Sequence, residues 1–199
     1  MPRSVPRFVV TAIAWLVPAF AVWYFAAPLL LWPVRLIVQG IAGVALPDIV
    51  RAVEQSGAIC TFATTLKPGQ ALAASGSITV DVNMLLYSFG LPLFVALVLA
   101  AREPGWPRKL VLGYAVIVPF AAWGVLADFL KNIAITASPL VASQTGFTGL
   151  QRELIAFAFQ FGSLILPTVV PAVTWVVTHR AFLERLRARP QAAAEAGGA

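Results

Sequence analysis

Cysteine and histidine, the usual catalytic thiol and its base, each occur once in this chain, as Cys60 and His179. Together they could form a thiolate nucleophile activated by an imidazole. A single cysteine allows no internal disulfide, and one cysteine with one histidine provides no zinc-type ligand cluster. Whether the two side chains can meet depends on the elements that hold them.

Two charged pairs could also carry chemistry. Asp128 and Lys131 are three residues apart, so on a helix they share a face and are expected to form an ion pair. Arg152 and Glu153 are adjacent. The expected Asp128–Lys131 ion pair argues against Asp128 as a general acid or base. The sequence has no phosphate-binding glycine loop, no His-Glu-x-x-His and no Gly-x-Ser-x-Gly motif, so no metal or cofactor is expected.

The composition is that of a membrane protein. Of 199 residues, 60% are hydrophobic and only 11% charged, with a mean hydropathy of +0.87. Soluble domains are about 45–50% apolar and about 25% charged, and a chain of this length has too little interior for such an excess. The net charge of +6 is then typical of cytoplasmic loops, not of nucleic-acid binding.

Four charge-free stretches locate the predicted spans, since a transmembrane helix needs about 20 apolar residues. They are residues 8–34, 82–101, 110–127 and 154–179, and they predict transmembrane helices at 8–31, 84–101, 109–128 and 154–178. Pro18 and Pro28 predict kinks in the first. That helix is too long for a signal peptide and is expected to be retained as an anchor.

The charges predict the orientation. With the N-terminus inside, nine of the 14 Lys and Arg residues and three of the eight acids lie on the cytoplasmic side. The cytoplasmic sum is 9 − 3 = +6 and the outer sum is 5 − 5 = 0, so the positive-inside rule places both termini in the cytoplasm.

The outer segment between the first two spans is expected to hold an interfacial helix and two strands. The helix ends before Pro47 and has a predicted apolar stripe of Val34, Ile37, Val38, Ile41, Val44 and Ala45. Alternation over 58–66 and 77–83 predicts strands, with residues 67–70 breaking the chain between them. Residues 132–151 are charge-free but polar, and predict an extramembrane loop with one short interfacial helix.

The predicted fold is therefore an all-α integral membrane protein. It is a four-transmembrane-helix bundle with an interfacial helix and a small extracytoplasmic β-hairpin. The predicted segments are 1–31 (cytoplasmic N-terminus and first span), 32–82 (outer helix and hairpin), 83–128 (second and third spans), 129–153 (outer loop), 154–180 (fourth span) and 181–199 (basic cytoplasmic tail, disordered over 191–199). This topology separates Cys60 from His179 by about 30 Å of hydrocarbon, so a catalytic pair is rejected. Cys60 is then interpreted as a small apolar strand residue and His179 as an interfacial one.

Polar and special residues near the outer span ends form the predicted site. The candidate partner-binding residues are Asn83, Tyr87, Gly90, Pro92, Trp123, Asp128, Lys131, Arg152, Glu153 and Gln160. Gly90 permits close helix approach and Pro92 frees a carbonyl. One interpretation is interhelical hydrogen bonding with snorkelled charges, and the other is a docking site for a membrane protein or peptide.

The chain resembles the exosortase H-associated membrane proteins. The resemblance rests on four sequence segments: residues 20–30, Asn83 to Phe94, Pro119 to Asp128 with Lys131, and Gly146 to Glu153 with Gln160 and Pro167. It implies an accessory role in the bacterial inner membrane beside an exosortase and its substrates. The substrates of an exosortase are secreted proteins whose C-terminal signal combines a short motif, a transmembrane helix and a basic tail. The enzyme has its own Cys, Arg and His, and this chain has no such set on one side of the membrane.

Two other functions remain open from the sequence. One is an integral-membrane enzyme acting on a lipid or peptide through Asp128, Lys131, Arg152 or Glu153. The other is a small channel or transporter subunit, which the nearly charge-free spans disfavour.

Overall fold

The computed structural model describes residues 5–68 and 76–185, and these are mostly helical. The helices are α1 (Val5–Phe25), α2 (Ala27–Leu30), α3 (Trp32–Ala45), α4 (Leu85–Ser88), α5 (Gly90–Ala101), α6 (Trp106–Lys131), α7 (Pro139–Gln144), α8 (Gly149–Gln160) and α9 (Leu166–Thr178). The strands are β1 (Val50–Ser56), β2 (Ile59–Thr64) and β3 (Thr79–Asn83). Two π-helical turns, Asn132–Thr136 and Phe161–Ile165, follow α6 and α8.

Four helical segments in the described chain are long and apolar enough to cross a membrane: Val5–Phe25, Ala27–Ala45, Trp106–Thr136 and Gly149–Thr178. The number of candidate spans equals the four predicted from the sequence, but one predicted span is replaced by a different segment. The predicted span at 84–101 forms a shorter apolar helix, Leu85–Ala101. The segment predicted to be interfacial belongs to Ala27–Ala45, which qualifies as a span by length and hydropathy.

The first predicted span ends earlier than expected. α1 ends at Phe25, and new helices begin at Ala27 and Trp32, each with a proline in its first turn. Proline lacks a backbone N–H and is favoured where a helix starts. Pro28 therefore begins a helix and does not kink one, whereas Pro18 lies inside the unbroken α1.

Close helix packing in the bundle depends on glycine. A Cβ on Gly90 of α5 would overlap the carbonyl oxygen of Pro167 and the ring of Pro171 in α9. A Cβ on Gly124 of α6 would overlap the Tyr87 side chain. The close approach predicted at Gly90 is thus confirmed, and it sets the spacing of α5 and α9.

One end of the bundle, which we call the basic end, collects the start of α1, the α5–α6 connection and the end of α9. Phe8 stacks on Trp175 with ring centroids 5.6 Å apart. Nearby, the buried Glu103 forms ion pairs with Lys109 and Arg185. These contacts join three helices at one level.

The opposite end, which we call the sheet end, carries the three antiparallel strands in the order β1-β2-β3. The predicted hairpin is confirmed as β2 and β3, with Cys60 opposite Val82. Cys60 and Phe62 are fully buried on one face, as the alternation predicted. β1 was not predicted, because a register shift between Val50 and Ala52 interrupts its alternation.

α3 packs between α6 and β1. It buries Val34, Val38 and Ala42 and leaves Ile41 and Val44 exposed, so the predicted apolar stripe is only partly correct. Arg35 donates two hydrogen bonds to the Val53 carbonyl of β1, at 3.1 and 3.2 Å. α3 thus contacts protein on two sides.

The segment 132–151 is more helical than predicted. The π-helical turn extends α6 to Thr136, and α7 is the expected short helix. α8 begins at Gly149 and not at residue 154, because Thr148 and Gln151 form a capping box. The predicted disordered tail, 191–199, lies outside the described residues, as do Gly69 and Gln70 of the predicted chain break.

Candidate functional site

The centre of the candidate site is the predicted ion pair. Lys131 Nζ lies 2.8 Å from Asp128 Oδ1, and Asn132 Nδ2 donates to the same oxygen at 3.2 Å. The Tyr87 side chain also interacts with the Asp128 carboxylate. Asp128 is only 9% exposed, so these contacts compensate the cost of removing its charge from water.

Lys131 also connects α6 to α8. Its Nζ lies 4.2 Å from the centroid of the Phe159 ring, which is cation–π geometry. Lys131 and Phe159 are thus held together across the two helices, and the lysine side chain remains 25% exposed. We call Tyr87, Asp128, Lys131, Asn132 and Phe159 the ion-pair cluster.

Trp123 lies beside this cluster on the outside of the bundle. Its Nε1 donates to the Ala158 carbonyl at 3.2 Å. A Cβ on Gly162 would lie 3.0 Å from the indole Cδ1, so Gly162 leaves room for the ring. Trp123 is nevertheless 51% exposed, which makes it an anchored aromatic side chain with one free face.

Three other predicted site residues serve the fold. Asn83 Oδ1 accepts a hydrogen bond from the Leu85 N–H at 3.0 Å, at the start of α4. Gly90 packs on α9. Pro92 lines an apolar groove on α5. None of the three has a described contact with the ion-pair cluster.

The remaining predicted residues lie on α8. Arg152 Nη2 donates to the Ala142 carbonyl of α7 at 3.4 Å. Glu153 and Gln160 are exposed, and neither side chain forms a hydrogen bond or ion pair with another residue in the described ranges. The ten predicted residues therefore do not form one cluster.

Sequence reasoning missed Asn132 and Phe159. Asn132 follows Asp128 by four residues, a spacing that places both side chains on one helix face. Phe159 carried no comparable signal, since it reaches Lys131 from another helix. Only the packing of α6 against α8 brings them together.

The cluster lies about one hydrocarbon thickness from the basic end along the helices. Asp128 follows Trp106 by 22 residues, or about 33 Å along a helix. Gln160 precedes Thr178 by 18 residues, or about 27 Å. Both are close to the hydrocarbon thickness of about 30 Å, so a bilayer that begins at the basic end would end near these side chains.

Cys60 and His179 belong to opposite ends of the bundle. Burial raises the pKa of the Cys60 thiol to about 11, with Arg35 opposing the shift. His179 ends α9 at the basic end, where burial and then Lys109 lower its pKa. Over residues 5–68 and 76–185, no three His, Cys, Asp or Glu side chains come close enough to hold a metal ion.

The architecture is that of a mostly helical protein with four helical segments long and apolar enough to cross a membrane, a small sheet at one end and an ion-pair cluster near it. The chain belongs to the exosortase H-associated membrane protein family, whose sequence model matches residues 2–182. No curated protein and no solved structure matches it.

Proposed function

We propose that the chain is a non-catalytic accessory protein of an exosortase-dependent sorting system in the bacterial inner membrane. It contacts the exosortase, or the C-terminal signal of its substrates, at the sheet end. The family assignment supports the association with an exosortase. The ion-pair cluster supports a non-catalytic role, because Asp128 is engaged by Lys131, Asn132 and Tyr87.

The observation that carries the proposal is a half-exposed aromatic ring whose N–H is anchored within the protein. We call Trp123, Lys131 and Gln160 the docking face. Trp123 exposes one ring face while its N–H is anchored to α8, and Gln160 is exposed without a described partner. An amide at this depth gains most from a partner helix or extended segment that supplies its hydrogen bonds.

Co-purification in mild detergent tests this role. Wild-type protein is expected to retain exosortase H, while Trp123→Ala and Gln160→Leu lose most of it. Leu112→Ala is the matched control, since Leu112 is 60% exposed on α6 but far from the docking face. Equal recovery with all four proteins, or no recovery with the wild type, would reject the proposed contact.

The proposed orientation places the basic end in the cytoplasm. The arginines there, including Arg7, Arg102, Arg108 and Arg180, support it under the positive-inside rule. A fluorescent protein fused after Ala199 is expected to fluoresce, and an alkaline phosphatase fused there to be inactive. The opposite pair of results would reverse the topology.

A further inference from the structure

An apolar groove runs along the flank of the bundle between α1, α5 and α6. Its volume is about 320 Å³, it is partly open to the surroundings, and its lining is almost wholly apolar. Residues of α1 and α5 supply most of the walls, among them Trp15, Ala19, Trp23, Leu91, Val95 and Leu99.

Two of the three lining aromatic side chains that carry a polar atom bond it within the protein. Trp23 Nε1 donates to Ser88 Oγ at 3.3 Å, and the Tyr114 hydroxyl donates to the Leu30 carbonyl at 2.6 Å. Because its lining is almost wholly apolar, the groove offers a ligand mainly hydrocarbon contacts. A polar or charged occupant would lose its solvation without compensation.

The length of the groove fits one acyl chain. From Trp15 to Trp23, and from Leu91 to Leu99, the walls extend eight residues, or about 12 Å. One leaflet of hydrocarbon is about 15 Å deep, so the groove matches most of one lipid tail.

Unpaired positive charge lies at the basic end of the groove. Arg102 follows the lining residue Leu99 by three positions, and Arg108 precedes the lining residue Leu110 by two. Both arginines are exposed, and neither forms an ion pair with a residue in the described ranges. The nearby acid Glu103 is already paired with Lys109 and Arg185.

From this geometry we infer that the groove binds one acyl chain of an anionic phospholipid. The tail lies against Val95 and Leu99, and the phosphate is bound by Arg102 and Arg108, whose guanidinium groups match its geometry. This site is separate from the docking face. It requires no exosortase and stands or falls independently of the proposed function.

Photolabelling in nanodiscs tests the site. The nanodiscs contain phosphatidylglycerol and phosphatidylcholine in equal amounts, and in each experiment one of the two carries a diazirine in its acyl chain. Adducts are expected on the groove residues of α1 and α5, with phosphatidylglycerol preferred. Val95→Trp fills the groove and should abolish them. Arg102→Gln and Arg108→Gln should each reduce the headgroup preference about fivefold, while the exposed Arg180→Gln should leave it unchanged.

The positions of the adducts on the wild-type protein test the site by themselves, so the test remains valid if Val95→Trp misfolds. Adducts spread evenly over lipid-facing residues such as Leu164 and Val173 would indicate only annular lipid and overturn the proposal. Equal labelling by the two lipids would overturn the headgroup assignment. A second copy or another protein crosslinked in the groove would overturn the choice of occupant.

Discussion

Phe62 of β2 stacks on Phe129 of α6, with ring centroids 4.0 Å apart and an interplanar angle of 11°. Both side chains are fully buried. A small sheet is marginal in water on its own, so this contact with the bundle is a main support of the sheet end.

Truncating one ring of this stack should loosen the sheet. Phe62→Ala is expected to lower the free energy of unfolding by about 3 kcal/mol, because it leaves a cavity against Phe129. Thermal unfolding in detergent measures this. The exposed Phe157 provides a control, and a Phe157→Ala loss as large as that of Phe62→Ala would contradict the assigned role.

Gly90 should tolerate no side chain. Gly90→Ala places a methyl group on the Pro167 carbonyl and the Pro171 ring, so α5 and α9 must separate and the bundle should unfold at a markedly lower temperature. Gly43→Ala is the matched control, because nothing lies within 4 Å of its Cβ position and alanine favours the helix. A Gly90→Ala variant as stable as the control would refute the close packing.

The buried ion pair should be more sensitive to the loss of one partner than of both. Lys131→Met leaves the Asp128 carboxylate with Asn132 and Tyr87 but without its counter-ion, at an expected cost of about 3 kcal/mol. Adding Asp128→Asn should restore most of that stability. Denaturant titration of the single and double variants measures the coupling, and strictly additive losses would contradict it.

The Cys60 thiol should be unreactive in the folded protein. Its raised pKa keeps it protonated at neutral pH, and burial excludes reagents. Because the pKa of the Cys60 thiol is higher in the folded protein than in the unfolded chain, the thiol's contribution to the free energy of unfolding is constant below pH 9.0. That contribution falls as the pH rises towards 11, where only the unfolded chain readily loses the proton. Maleimide labelling at pH 7.5 should be slow for Cys60 and fast for an exposed control, Ser77→Cys in a Cys60→Ala background. Equal rates would refute the buried assignment.

Local patterns in the sequence predicted local structure well. The alternation around Cys60 and Val82 identified two strands and their buried faces, and the three-residue spacing identified the Asp128–Lys131 pair. Gly90 was correctly assigned to close packing. These features depend on residues near each other in the chain.

Features that depend on tertiary contacts were missed or misplaced. The register shift in β1 hid a strand, and α3 buries Val34, Val38 and Ala42 against protein, which no hydrophobic pattern distinguishes from a membrane surface. Phe159 joined Lys131 only through helix packing. The early start of α8 was visible in Thr148 and Gln151, but the polarity of the segment suggested a loop.

The most direct test of the proposed accessory role is site-specific photocrosslinking in cells that express exosortase H. A photoreactive amino acid at position 160 or 123 is expected to give an adduct with the exosortase or with a substrate carrying the C-terminal signal. The same amino acid at position 112 should give none. Adducts of equal yield at all three positions, or none at 160 and 123, would contradict the docking face.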